Sequence, residues 1–272
     1  MPPKGPLAAS FGAWTLEPPR AGALGRAVVE VENAGTVVWR SQGETGIQAA
    51  YHWLDDRGNA IVWDGIRTPL PRAVEPRESV RLELVVRGPM PPGRYRFAVD
   101  LVAEHRAWFE ELGGETVGGR VEVAPRIERR LAVEGADPGV LDAQDEAPVA
   151  PEEAHAVAYL APGVVPAPDW IRRLLDAHEE GYAAVGGSVA VEAGRLGGRR
   201  ARAALAPWAP GTGRVPGFPH ALLCPSVVRD VEPVWADPVA GLPALRPPDG
   251  EPWAYDGRIA VTARPRSGRR RG

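Results

Sequence analysis

Apolar and polar residues alternate along most of the first half of the chain. Across residues 26–32, Ala27, Val29 and Val31 share one face, and Ile47, Ala49, Tyr51 and Trp53 repeat the pattern with Gln48, Ala50 and His52 opposite. A period of two is that of a half-buried strand. Asp56-Arg57-Gly58-Asn59 is a turn signal between Tyr51-His52-Trp53-Leu54 and Ala60-Ile61-Val62-Trp63, so the two runs predict a hairpin. Val80, Leu82, Leu84 and Val86 make the next apolar face. After the break at Pro91-Pro92-Gly93, Tyr95, Phe97, Val99 and Leu101 make another, and Val121-Glu122-Val123 would close the set. Short strands punctuated by Gly and Pro, with no long helical period, predict an antiparallel β-sandwich over residues 1–124.

Beyond Ala124 the alternation dissolves. Residues 125–155 are rich in Glu, Asp, Pro and Ala, and Ala136-Asp137-Pro138-Gly139 and Ala147-Pro148-Val149-Ala150-Pro151 hide little apolar surface. The segment reads as a linker or a poorly packed stretch. In residues 156–272, Ala156-Val157-Ala158-Tyr159-Leu160 is a short apolar run ended by Ala161-Pro162-Gly163. A helix should follow, with Pro168 at its start, Asp169 in its first turn, Ile171, Leu174, Leu175 and His178 at helical spacing, and Gly181 as its C-cap. Residues 183–191 then read as a strand broken by Gly186-Gly187. Strand, loop, helix and strand in succession predict an α/β second domain and an α+β chain overall. From 207 to 252, proline and glycine are too frequent for long elements.

A length of 272 residues fits two modest domains. With 44% hydrophobic and 25% charged residues, disorder is not expected. No apolar run approaches the roughly 20 residues of a membrane span, and Met1-Pro2-Pro3-Lys4-Gly5-Pro6 does not resemble a secretory signal. The expectation is a cytoplasmic protein with no transmembrane segment, the inner face of the membrane being the alternative location. A net charge of -3 provides no basic field for nucleic acid, and Arg269-Arg270-Arg271 reads as a solvated end. The single cysteine, Cys224, excludes an internal disulfide and a cysteine-rich zinc site and reads as a small apolar filler. The histidines show no paired spacing that suggests zinc and read as surface or packing residues. Ser188 lacks the spacing of a nucleophile elbow, and Gly211-Thr212-Gly213 that of a phosphate loop. Trp39, Trp53 and Trp63 read as core, and only Trp108, beside Phe109 and before Gly113-Gly114, reads as a loop aromatic open to a sugar.

The first domain resembles the tryptophan-rich Ig-like β-sandwich known from autophagy receptors and from bacterial multidomain proteins. Asn33-Ala34-Gly35-Thr36 with Trp39, Tyr51-His52-Trp53-Leu54-Asp55, Val62-Trp63-Asp64-Gly65, Arg67-Thr68-Pro69-Leu70-Pro71 and Pro92-Gly93-Arg94-Tyr95 carry the likeness. It implies a supporting or binding role. The second domain resembles part of a family 2 glycosyltransferase, through the apolar run at 157–160, Val164-Val165-Pro166-Ala167-Pro168-Asp169-Trp170-Ile171, and Ala184-Val185-Gly186-Gly187. Weaker likenesses lie at 215–222 and 255–259. That resemblance implies a truncated α/β domain of glycosyltransferase A type, with Glu134, Asp137, Gly163, Gly186 and Gly187 as nucleotide-sugar candidates. Asp249 and Glu251 are the nearest equivalents of the family's late general base.

The departures weigh against catalysis. Where the family carries two aspartates for a divalent cation, this chain has Ala161 and Gly163, so no metal ligands and no cofactor are expected. The implied function is a noncatalytic or impaired binding or scaffolding protein in glycan or cell-envelope polysaccharide assembly. Its expected ligands are a glycan or nucleotide-sugar and a partner protein at the β-sandwich. An active inverting transferase and a fragment of a larger one are the alternatives.

Overall fold

Runs of alternating apolar residues supply the inner faces of two antiparallel sheets in the first half of the chain. In the computed structural model, which describes residues 5–42, 46–191, 203–204, 213–217 and 222–263, the chain divides into two units, Met1–Ala124 and Pro125–Gly272. The first contains β1 (Ala9–Leu16), β2 (Leu24–Asn33), β3 (Ile47–Leu54), β4 (Ala60–Val62), β5 (Thr68–Pro69), β6 (Ser79–Arg87), β7 (Gly93–Ala103), β8 (Ala107–Trp108) and β9 (Val117–Val123). One sheet has the order β1-β2-β6. The other has β3 and β7 at its centre, with β4 and β5 on β3, and β8 and β9 on β7. Val29, Val31, Leu82 and Leu84 from the first sheet and Tyr51, Trp53, Phe97, Val99 and Leu101 from the second share one core. The unit is therefore an antiparallel β-sandwich.

β1 left no alternating signal because none of its residues is fully buried and its register with β2 shifts between Phe11 and Trp14. β6 alternates between exposed and buried along its length, as a half-buried strand should. β3 and β7 do not. Their outward residues Ala50, His52, Ala98, Asp100 and Val102 are buried too, because the segments after β4 and around β8 fold over that face. This second buried layer is where the polar groups of interest lie.

The second unit contains β10 (Leu131–Glu134), β11 (Ala156–Tyr159), β12 (Val164–Pro166), α1 (Trp170–Glu180), β13 (Ala184–Val191), β14 (Ala203–Ala204), β15 (Arg214–Pro216), β16 (Leu222–Leu223), β17 (Ser226–Val228), β18 (Val234–Val239), β19 (Leu242–Arg246) and β20 (Trp253–Ala263). The main sheet has the order β10-β11-β17-β13-β20-β12, with β14 on β13 and β15 on β20; β16, β19 and β18 form a smaller sheet. The helix lies where its apolar spacing predicts. It buries Trp170, Ile171, Leu174, Leu175, Ala177 and His178, and Gly181 ends it at φ 123 with its N–H directed to the Ala177 and His178 carbonyls.

This unit is not an α/β domain of glycosyltransferase A type, and the chain is not α+β. Strands dominate, and α1 is the one α-helix among the described residues. The strand-helix-strand run does not close into a parallel βαβ unit: β17, from much later in the chain, lies between β11 and β13 and runs antiparallel to both. Among the described strands of this unit, only the β10/β11 and β13/β20 pairs are parallel. A local pattern fixes which residues form strands and not which strands pair, and a three-residue strand such as β17 leaves almost no periodic trace. Residues 164–166, expected to feed the helix as a loop, instead pair with β20. Residues 125–155 supply β10 and place Ile127, Leu131 and Ala154 among the buried residues. The run at Leu131-Ala132-Val133 is too short to reveal a period.

Candidate functional site

The outer face of the β3–β7 pair carries a cluster of aromatic and ionisable side chains. β3 contributes His52 and β7 contributes Asp100, which point the same way because Ala50 stands opposite Asp100 in the antiparallel register. The segment after β4 brings Trp63 over His52, with ring centroids 4.1 Å apart and an interplanar angle of 19°. Gly65 makes this close approach possible. Its N–H donates to the Tyr51 carbonyl at 3.1 Å, and a Cβ there would stand 2.5 Å from that oxygen.

The β8 segment closes the other side. Phe109 points inward, where it meets the edge of Trp39, and its N–H donates to the Leu101 carbonyl at 2.9 Å. Trp108 therefore faces outward, packing edge-on to His52 at 4.5 Å and to Trp63 at 6.0 Å. The Arg67 guanidinium lies 4.9 Å from the Trp108 ring centre. Arg67 is also bonded to Asp64 and, at 2.5 Å, to Glu104.

His52 is 1% exposed. Its Nδ1 lies against the Trp63 carbonyl oxygen, and since a carbonyl can only accept, Nδ1 carries the proton and Nε2 the lone pair. Nε2 is buried without a hydrogen-bond partner. Burial holds the imidazole pKa below its ordinary value, against the opposing pull of the Trp63 carbonyl. Asp100 is fully buried. Its carboxylate accepts from the Leu101 N–H at 2.7 Å and the Glu110 N–H at 3.1 Å. Burial nevertheless pushes its pKa up to about 6, and the Glu110 and Glu111 charges push the same way. Ligand atoms of His52, Asp100 and the exposed Glu110 lie within 4.8 Å of one another.

The candidates from the sequence fall elsewhere. Asp137 and Gly163 do meet: the Gly163 N–H donates to the Asp137 carboxylate at 2.7 Å. Glu134 ends β10 on the exposed side. Gly186 and Gly187 lie inside the sheet, where added Cβ atoms would stand 2.9 Å from Leu222 and 1.8 Å from the Ile259 carbonyl oxygen. Close strand packing accounts for both glycines. Asp249 is exposed in a turn. Glu251 is bonded at 3.1 Å to the buried Arg126, which also reaches Asp230 at 3.1 Å. Ala161 and Gly163 offer no side-chain ligand. Residues 211–212, 218–221 and the arginine tail lie outside the described residues.

Trp39 and Trp53 are fully buried, whereas Trp63, read as core, is 40% exposed. Its place at a strand end, where alternation stops, was the signal available. His52 gave none, because an outward position on a strand predicts solvent and not a covered cluster. A separate groove of about 610 Å³ runs beside β1, lined in part by Phe11, Glu32, Arg77 and Thr116. None of its lining residues belongs to the aromatic cluster.

No family model and no curated protein matches the chain. Among solved structures, the C-terminal domain of wzt is similar at 6% identity and a TM-score of 0.30, over 44% of this chain and 75% of that one. A family 123 glycoside hydrolase from Clostridium perfringens, described with glycolipid glycan hydrolysis, is similar at 10% identity and a TM-score of 0.24, over 64% of this chain. The chain spans about a third of that enzyme, 32% of its length. Overlaps this partial establish no shared fold.

Proposed function

We propose that this is a noncatalytic glycan-binding protein whose first unit holds a saccharide against Trp63. The observation that carries the reading is an indole covered on one face by His52, yet 40% exposed. A flat apolar face held in place loses little freedom when the C–H face of a sugar ring settles on it. Around it stand Asp64, Arg67 and Glu110, polar groups of the kind that orient a ligand through its hydroxyls. The β-sandwich supports this arrangement rigidly, since the segments that bear Trp63 and Trp108 are tied to β3 and β7 by backbone hydrogen bonds.

Tryptophan fluorescence titration of the full chain with a panel of neutral and acidic oligosaccharides tests the reading. At least one should bind, and Trp63→Ala should abolish that binding while the variant still unfolds in a single cooperative transition. Absence of binding across the panel, or undiminished binding by the variant, overturns it.

A further inference from the structure

We infer that His52, Asp100 and Glu110 form a binding site for a divalent transition cation of the zinc class. The inference shares only Glu110 with the saccharide reading and does not require it, because it rests on groups beneath and beside Trp63 and not on its exposed face.

Three observations converge. The Trp63 carbonyl fixes the His52 proton on Nδ1, which is how metal-binding imidazoles are commonly oriented, with one nitrogen donating to a carbonyl and the other ligating. The remaining nitrogen, Nε2, is buried with no hydrogen-bond partner on a side chain 1% exposed. An unsatisfied buried acceptor is unfavourable unless something fills it. Finally, Asp100 and Glu110 bring two carboxylates to the same place.

Charge and donor type select the occupant. A divalent ion would balance two carboxylates and give the imidazole lone pair a partner. The nearby guanidinium of Arg67 is already engaged by Asp64 and Glu104. One nitrogen and two oxygen donors suit zinc or a similar transition ion better than magnesium or calcium, which take all-oxygen shells. Ligand bonds of about 2.0 to 2.2 Å place tetrahedral donors roughly 3.4 Å apart. The three groups, now within 4.8 Å, therefore need to draw together, a movement open to the exposed Glu110 side chain. Three protein ligands leave a position for water.

Calorimetric titration of the chelator-dialysed full chain with Zn²⁺ at neutral pH is the test. One equivalent should bind, excess Mg²⁺ should not displace it, and Glu110→Gln should weaken binding by more than about tenfold. His52→Asn, whose amide can keep the bond to the Trp63 carbonyl while removing Nε2, should do the same. Melts without metal check that each variant is folded, and the exposed Glu110 makes its variant decisive if the other is not. A parent chain that takes up no zinc, zinc readily displaced by Mg²⁺, or a folded Glu110→Gln chain that binds as tightly as the parent overturns the assignment.

Discussion

His52 and His178 are both buried, and each directs Nδ1 to a backbone carbonyl, of Trp63 in one case and of Tyr182 at 2.8 Å in the other. They differ at the second nitrogen. His178 Nε2 lies 2.8 Å from the Ser226 hydroxyl, whereas His52 Nε2 has no partner. The buried carboxylates divide in the same way. Asp256 is bonded to Arg258 at 2.7 Å, and its pKa stays below the ordinary value despite burial, because Arg258 bonds it and Arg214 adds charge. Asp100 has two backbone donors and faces Glu110, and its pKa rises. Burial alone thus does not mark a functional polar group. What distinguishes these two sites is whether the last lone pair is spoken for: His178 and Asp256 are paired with side chains, and His52 and Asp100 are left open beneath an aromatic cover.

The largest expected effect separates the two faces of β3. Trp53 is fully buried on the inner face and its indole N–H donates to the Arg87 carbonyl at 2.9 Å. Trp53→Ala should cost about 3 to 5 kcal/mol in urea-induced unfolding. A loss below about 1 kcal/mol would mean that the inner face is not the packed core described.

Acid should single out His178. Burial lowers its pKa to about 4, from an ordinary 6.5. Above 6.5 neither the folded nor the unfolded histidine is charged, so the folded state incurs no penalty. As the pH falls below 6.5 the unfolded chain takes up a proton that the folded chain refuses until about pH 4. Stability present above 6.5 is therefore lost on the way down, by on the order of 2 to 3 kcal/mol. Urea midpoints measured across this range should fall, and a His178→Gln chain should fall less. Equal slopes in the two chains would show that His178 titrates normally and is not closed off.

Ser226→Ala should cost about 1 to 3 kcal/mol. With Nδ1–H given to Tyr182, Nε2 can only accept, and the Ser226 hydroxyl at 2.8 Å is its donor, with the Val157 carbonyl farther off at 3.2 Å. Removing the hydroxyl makes His178 resemble His52. A neutral substitution would break the contrast, since a missing partner at a buried Nε2 would then carry no cost.

Much of the first unit was legible because its strands are long and half-buried: β2, β6 and the inner faces of β3 and β7 alternate as the residues do. The second unit was not, because its two long strands, β13 and β20, are joined in the sheet by strands of two to four residues inserted out of sequence order, such as β17 between β11 and β13. The helix was legible from Ile171, Leu174, Leu175 and His178, yet a correct helix did not bring a correct topology. Of the aromatic cluster, Trp108 was singled out, but as a loop aromatic open to a sugar, whereas it lies on β8 and is buried with Ala50 and Val102. His52, Asp100 and Glu110 were not, since they lie on β3, on β7 and in the loop after β8, and only sheet pairing brings them together.

The smallest expected effect is also the one that best separates binding from folding. Trp63 is 40% exposed and belongs to no core cluster, so Trp63→Ala removes only part of the area a core tryptophan buries and leaves an open depression over His52 rather than a sealed cavity. Its backbone carbonyl, which holds His52, is retained by any residue at that position. Stability should therefore fall by about 1 kcal/mol, between an ordinary surface substitution and a truncated core aromatic. In contrast to Trp53, ten residues earlier in the same hairpin, the side chain is held by a stack on His52 and an edge contact with Trp108 rather than by surrounding core. Paired urea titrations of the parent and the variant measure the difference. A loss of 2 kcal/mol or more, in the range of a truncated core side chain, would make Trp63 a structural cover for His52 and would remove the exposed indole as a binding surface.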